Sequence, residues 1–535
     1  MAILNFKGKA FVQNYHLQVK YHQLIPRKNK SLTKKVSLHD NLIIHGDNLK
    51  ALKSLLPTYA GKIKCIYIDP PYNTGNEKWV YNDNVNSPMM QEWLDKIVDK
   101  EDLTRHDKWL CMMMPRLKLL RELLREDGVI FVSIDDNEQH RLRMLMDEVF
   151  GEENFVANIL WQKRTSPDSR VILGAGHDFV VCYSRSQLNL GSGLNKLDLS
   201  EDQINQFKNP DNDPKGPWVS TDFTAQGYRP NQMYTIITPS GKSYTPPDGR
   251  CWKNVESVYN NLLQQGRMWF GNDGNGIPRR KTYLKEREGS VPWSWWTNKE
   301  VGHNQEARKE IIEIFGTSTA FDTPKPVRLI KRILQVATDG NDVILDSFAG
   351  SGTTAHAMLD LNKEDGGNRR FILVECEDYA DKITTERVRR VIKGVPKAKD
   401  ENLKKGLGGT FSYFDLGPPI EMEAILSGDN FPSYADLARY VFYTATGEEF
   451  DPDSINEKKN FIGESTQYLV YLFYKPDIEY LKATALTLDK AKALGPYKKK
   501  RRLVFAPTKY LDQEHLDELR IDFAQLPFEI YQLVK

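Results

Sequence analysis

The tetrapeptide Asp69-Pro70-Pro71-Tyr72 closes an apolar run, Ile63 to Ile68, that reads as a buried strand. A carboxylate at the mouth of a strand can accept a hydrogen bond from an exocyclic amine whose lone pair is delocalised into a flat ring. If a backbone carbonyl accepts the amine's other N–H, the nitrogen is drawn toward tetrahedral geometry and its developing charge is stabilised. Asp69 and the carbonyl of Pro70 suit these two roles. Proline fixes the chain and brings no competing N–H. Tyr72 offers a stacking face. The catalytic candidates are therefore Asp69, Pro70, Pro71 and Tyr72.

A second segment, Asp346-Ser347-Phe348-Ala349-Gly350-Ser351-Gly352-Thr353-Thr354, follows the short strand Val343–Leu345 and opens a helix. Gly350 and Gly352 let backbone approach a ligand closely at a helix N-terminus. A P-loop would need Lys before the Ser or Thr, but Gly352 precedes Thr353. A G-x-G-x-x-G dinucleotide fingerprint is incomplete, because threonine and alanine follow Gly350-Ser351-Gly352. An S-adenosylmethionine loop fits best: Glu375, at the end of the next strand, can bind both ribose hydroxyls.

These segments need scaffolding, and the chain supplies it. From Asn41 strand and helix signals alternate: strand Ile63–Ile68, helix Lys108–Glu126 stopping near Gly128, strand Val129–Ile134 and helix Glu138–Phe150. Such alternation predicts a parallel sheet covered by helices. Residues 162–320 are rich in Gly, Pro, Trp and Tyr, with turn signals such as Pro246-Pro247-Asp248-Gly249, and read as an inserted domain of short strands. The alternation resumes at Pro324. The resulting division is an N-terminal arm 1–40, a catalytic half 41–161, an insertion 162–320, a cofactor half 321–395 and a C-terminal module 396–535.

Composition sets bounds. With 40% apolar and 11% aromatic residues among 535, sizeable cores are expected. The net charge of +2 means that a polyanionic partner would meet local basic patches. Five scattered cysteines, with no C-x-x-C pair, argue against a disulfide framework or a zinc site and fit a reducing cytoplasm. No metal is expected. The N-terminus lacks a signal-peptide pattern, and no apolar stretch is long enough to cross a membrane.

The order of motifs, Asp-Pro-Pro-Tyr before Phe348-Ala349-Gly350-Ser351-Gly352, resembles the β-class of DNA amino-methyltransferases. Longer stretches are similar to the modification (Mod) subunit of type III restriction–modification systems: IYIDPPYNTGNEKWVYND from Ile66, GVIFVSIDDNE from Gly128, FDTPKPVRLIKRIL from Phe321 and DSFAGSGTTAHAM from Asp346. The resemblance implies a Rossmann-like, doubly wound α/β sheet with circularly permuted motif order, an inserted target-recognition domain and a C-terminal α+β module. It implies methyl transfer from S-adenosylmethionine to adenine N6 in double-stranded DNA, with the base flipped out of the duplex. Asp69 to Tyr72 would be catalytic. Asp346, Phe348, Gly350, Gly352, Thr353 and Glu375 would hold the cofactor, with Thr323, Pro324 and Lys325 at its methionine end and Asp47 near its adenine. A homodimer and a restriction (Res) helicase-nuclease partner are also implied. Glutamine-modifying enzymes resemble N-P-P-Y with the loop first, and Asp69 and the motif order both speak against them; cytosine-N4 enzymes more often resemble S-P-P-Y, so Asp69 favours adenine. Two alternatives stand beside this reading: a solitary methyltransferase, and a silent DNA-binding module.

Recognition candidates in the insertion are Arg229, Arg250, Arg267, Arg279, Arg280 and Lys281, with Tyr228, Trp252, Trp269, Phe270, Trp293, Trp295 and Trp296. His177, His356 and Met112-Met113-Met114 read as structural. The basic run Lys498–Arg502 reads as a solvated loop, with a DNA phosphate contact as the alternative.

Overall fold

The apolar runs between Leu42 and Val374 become the middle of one large sheet, because strands covered on both faces need side chains that are apolar on both. The computed structural model describes residues 4–74, 104–167, 172–190, 194–317, 320–420, 431–496 and 499–526. Within them the sheet is built from His22–Pro26 (β1), Leu42–His45 (β2), Ile63–Ile68 (β3), Leu124–Ile134 (β4), Phe155–Gln162 (β5), His177–Ser184 (β6), Trp295–Trp296 (β7), Val343–Asp346 (β8), Arg370–Glu375 (β9) and Ser412–Pro419 (β10). Their order across the sheet is β1-β10-β2-β9-β8-β3-β4-β6-β5-β7. From β10 to β4 neighbouring strands are parallel. β6 lies antiparallel between β4 and β5, and β1 pairs antiparallel with β10.

One junction matters most. Ile344 and Leu345 of β8 pair with Cys65 and Ile66 of β3, so strands almost three hundred residues apart in sequence lie side by side. The chain proceeds from β3 to β4 on one side of this junction and from β8 to β9 on the other. Connections that diverge in this way leave a crevice at the carboxyl ends of the two strands, where α/β sheets bind ligands.

The helices used below are Asn48–Tyr59 (α1), Arg105–Leu123 (α2), Gln139–Phe150 (α3), Asn304–Phe315 (α4), Val327–Ala337 (α5), Thr353–Asp365 (α6) and Glu386–Lys393 (α7). Thr104 and Asp107 close a capping box on α2, and the helix buries Trp109, Met112, Met113, Met114, Leu117 and Leu120 in the main core. Leu123 ends α2 and β4 begins at once, earlier than the expected strand start at Val129. Leu124 pairs with Ile63 and Val129 with Cys65, so residues 125–128 bulge from the ladder between them; there Asp127 binds Lys64 (3.0 Å) and Arg125, which also reaches Asp342 (3.1 Å).

The boundaries differ from the expected ones in three places. Residues 4–40 are no free arm: Leu4, Phe6, Val12, Val19 and Leu24 sit in the main core and β1 edges the sheet. Their scattered spacing hides this, because each side chain fills a gap on a helix that is distant in sequence. A second compact unit spans Asn195–Pro292 rather than 162–320, and β6, β7 and α4 belong to the first unit. The C-terminal region begins by adding β10 beside β2. It continues as helix Tyr434–Thr446 and a four-stranded sheet, Phe461–Glu464, Tyr468–Leu472, Arg501–Ala506 and Ile521–Gln525. No helix among the described residues is long and apolar enough to cross a membrane.

The second unit has its own core of Phe223, Ile236, Trp252, Tyr259, Leu262, Met268 and Phe270. Several recognition candidates are structural there. Lys281, 4% exposed, pairs with Asp211 and with Asp213 at 2.7 Å. Arg267 pairs with Glu286, Arg250 with Asp222, and Arg279 bonds to Ser220. Tyr228 and Arg229 are exposed.

Candidate active site

Five acidic residues line up at the carboxyl ends of five successive parallel strands. Asp47 follows β2, Glu375 ends β9, Asp346 ends β8, Asp69 follows β3 and Asp135 follows β4. Beyond them, near the start of antiparallel β6, lies Asp178. A cavity of about 720 Å³ opens at this edge. It is lined by Asp69, Pro70, Tyr72, Thr323, Pro324, Lys325, Asp346, Phe348, Gly350 and Thr353, so it gathers residues from both sequence motifs. Pro71, Asp47, Gly352 and Glu375 do not line it.

Asp69 and Tyr72 are set by their neighbours. The Trp109 indole N–H donates to the Pro71 carbonyl at 2.7 Å, which locks the second proline and leaves the Pro70 carbonyl out of that bond. Asn73 takes a left-handed φ of 56° and donates through Nδ2 to Glu138, a carboxylate with 0% exposure. Glu138 also lies 2.5 Å from His106 Nδ1. Lys325 donates to Asp69 Oδ2, and its ammonium stands 5.0 Å from the centre of the Tyr72 ring. Asp69 Oδ1 and the Tyr72 hydroxyl are shielded from solvent and lack a protein partner. Burial, with the Asp69 charge nearby, holds the Tyr72 phenol well above its usual range, so it is neutral.

The glycine segment wraps the other wall. Gly350 and Gly352 have φ of 52° and 78°, which side chains with a Cβ rarely adopt. Asp346 accepts from the Phe348 N–H at 3.0 Å and from the Thr354 hydroxyl at 2.5 Å. Burial nevertheless lifts its carboxyl to about 7. Glu375 turns both oxygens onto backbone N–H groups, Gly350 at 2.7 Å, Cys376 at 2.9 Å and Glu377 at 3.0 Å. It braces the loop from behind, and burial raises it too to about 7. Asp47 caps α1 through the Lys50 N–H at 3.0 Å and lies 3.5 Å from Arg116. Its neighbour Asn48 binds Arg116 at 2.6 Å and the Ser347 carbonyl at 3.0 Å, tying α1 to the loop after β8.

The cavity also holds residues that the motifs do not mark. Asp135, Lys163, Asp178 and the start of α4, His303-Asn304-Gln305, line it. Lys163 donates to Asp178, which is 3% exposed; burial raises the Asp178 carboxyl while the Lys163 charge lowers it. Asp135 had a signal, an acidic residue straight after an apolar run, whereas Asp178 lies beside a histidine and in no motif. His177 stacks edge-on with Phe179, and buried His356 is kept neutral by desolvation and by Arg387. The last nine residues of the stretch beginning at Ile66, and Lys498 of the basic run, lie outside the described residues. Arg501 pairs with Asp522 at 2.5 Å, and Arg502 is buried. Among the described residues no cluster of three or more His, Cys, Asp or Glu could hold a metal ion.

A doubly wound α/β sheet whose switch-point crevice joins a carboxylate–tyrosine half-site to a glycine loop is the architecture of a group-transfer enzyme working on a bound small cofactor. Residues 63–386 match the DNA methylase family. The Mod subunit of the type III restriction-modification enzyme StyLTI of Salmonella typhimurium is 34% identical over 480 residues, covering 83% of this chain and 70% of that one. The EcoPI Mod subunit of Escherichia phage P1 is 29% identical, covering 80% and 74%. The type II methyltransferase M.KpnI of Klebsiella pneumoniae is 32% identical, covering 62% and 79%. The chain belongs to the DNA methylase family, and within it to the Mod subunits of type III restriction-modification enzymes.

Proposed function

We propose that this DNA methyltransferase moves a methyl group from S-adenosylmethionine to the N6 amino group of an adenine flipped out of DNA, in the cytoplasm. The observation that carries the reading is the pair of buried, unpartnered polar atoms, Asp69 Oδ1 and the Tyr72 hydroxyl, on two residues that line the same cavity as the glycine loop. The residues fit such a cofactor: the cavity volume is within the range of ligand sites, and the loop at the start of α6 is open to it. The cofactor would supply an electrophilic methyl group on a sulfonium. Thr323, Pro324, Lys325, Asp346, Phe348, Gly350 and Thr353 would hold it, with Gly352 and Glu375 shaping the loop and Asp47 setting the adjoining turn.

The chain's own residues do the rest. Asp69 accepts one N–H of the amine and the Pro70 carbonyl accepts the other. The nitrogen lone pair is thereby localised and aimed, and the charge that grows on the nitrogen faces a carboxylate. Tyr72 stacks on the extruded ring. The amine meets the unpartnered Oδ1, while the Lys325 ammonium stays on Oδ2 and orients the carboxylate. Holding two reactants in line can supply about 7–11 kcal/mol of barrier reduction.

Transfer of labelled methyl to DNA, followed by nucleoside analysis, tests the reading. Asp69→Ala should abolish turnover while cofactor binding persists; near-normal methylation by that variant, or label in cytosine, would refute it. The reading extends to a homodimer with a Res helicase-nuclease partner, as the Mod relatives suggest, and co-purification with the neighbouring gene product checks this. Likeness to M.KpnI keeps a solitary methyltransferase as the second reading, which absence of such a gene would favour.

A further inference from the structure

Behind the glycine loop lies an arginine that belongs to neither motif. Arg387 of α7 is 0% exposed. Its Nη1 donates to Ser351 Oγ and to Thr353 Oγ1, each at 2.8 Å. Its Nη2 stands 3.3 Å from His356 Nδ1 and 3.8 Å from Glu310 Oε2. Just ahead of α7, Thr384 donates its hydroxyl to the Gly350 carbonyl at 2.6 Å. A Cβ on Gly352 would lie 3.1 Å from the Thr384 carbonyl. The loop is therefore clasped from one side.

Hydrogen counting gives this clasp a polarity. A guanidinium only donates, so both loop hydroxyls are acceptors toward Arg387. Each still carries one hydrogen. The two oxygens are 3.2 Å apart, so one hydrogen can bridge them. The other is left to point outward, and both side chains line the cavity. The charge behind them persists at neutral pH, since burial lowers Arg387 only to about 10. Glu310 neutralises it weakly: burial raises that carboxyl to about 7 and it stays beyond hydrogen-bond distance. The N-terminus of α6 adds positive potential at the same place.

We infer that Arg387 is a positioning residue that fixes Ser351 and Thr353 as a hydrogen-bond donor into the cavity and so selects the carboxylate-bearing end of the ligand. This deepens the cofactor reading and rests on it, since the amino-acid carboxylate is the anionic group that S-adenosylmethionine carries.

The test uses the full chain and two ligands in calorimetry: S-adenosylhomocysteine, which carries the carboxylate, and methylthioadenosine, which lacks the amino-acid end. Arg387→Met should weaken S-adenosylhomocysteine binding roughly ten-fold, the scale of one charge-assisted bond, and leave methylthioadenosine within about two-fold. Arg387→Lys should recover part of the loss, because an ammonium restores the charge. In turnover the loss should fall on KM for S-adenosylmethionine. Equal weakening of both ligands, or no change in either, or a loss confined to kcat, overturns the assignment. A wild-type protein that binds neither compound would overturn the cofactor reading itself, and the assignment with it.

Discussion

Replacing Asp346 by asparagine should make stability less sensitive to pH. Asp346 ends β8 at 3% exposure. Burial lifts its carboxyl from 3.8 to about 7, against the bonds from Thr354 and Phe348 that favour the charged form. The native state therefore holds the proton over a range where the unfolded chain has lost it. The stabilisation is complete below pH 3.8, drains away as pH rises, and is gone above about 7. That interval, at about 1.4 kcal/mol per pH unit, amounts to about 4 kcal/mol. Asparagine keeps the shape, carries no charge, and still offers Oδ1 to the Phe348 N–H. Its amide can face the Thr354 hydroxyl, which turns to accept, at a cost of about 1 kcal/mol. The variant should then be slightly less stable than wild type near pH 4 and about 3 kcal/mol more stable near pH 8. Glu375 and Glu310 are also raised to about 7 and slope the wild-type profile in the same sense. The quantity to measure is thus the difference between the two proteins, by urea unfolding at several pH values. A difference that stays constant from pH 4 to 8 would refute a buried carboxyl that keeps its proton. A difference of opposite sign would mean that the charged form is the stabilised one.

Two further substitutions probe the frame of the site. Trp109→Phe keeps the packing of α2 but leaves the part-buried Pro71 carbonyl without its donor; stability should fall by about 1–3 kcal/mol. Single-turnover methyl transfer should slow at least ten-fold as the Asp69 segment shifts, and an unchanged rate would show that this bond does not set the geometry. Lys163→Met strands the Asp178 carboxylate in the cavity wall and should cost about 3 kcal/mol near neutral pH. Adding Asp178→Asn removes the stranded charge and should recover at least half of that loss; additive losses in urea unfolding would show the pair to be uncoupled.

The parts of the site that were legible in the sequence are those whose signals are local. Asp69 and Asp346 each stand at the end of an apolar run, and the periodicity that marks the run also places the carboxylate at a strand mouth. Arg387, Asp178 and Lys163 have no such context. Arg387 lies on a strongly amphipathic helix where an arginine reads as a surface charge, and it is buried because the glycine loop, far back in sequence, folds over it. Strand β1 was missed for a similar reason: Leu24 pairs with Leu416, and nothing within ten residues of either announces the other. Strand adjacency is the step that local patterns cannot supply, and here it decides the chemistry. Neighbouring parallel strands lie about 4.8 Å apart. With β8 against β3, the chain ends that carry Asp346 and Asp69 open on one crevice. Were β8 one position further along the sheet, an intervening strand would push them about 10 Å apart and put its own loop between them. A methyl donor on the glycine loop would then stand out of reach of an amine held by Asp69. The permuted motif order is tolerated because the sheet, and not the chain, sets the distance between the two half-sites.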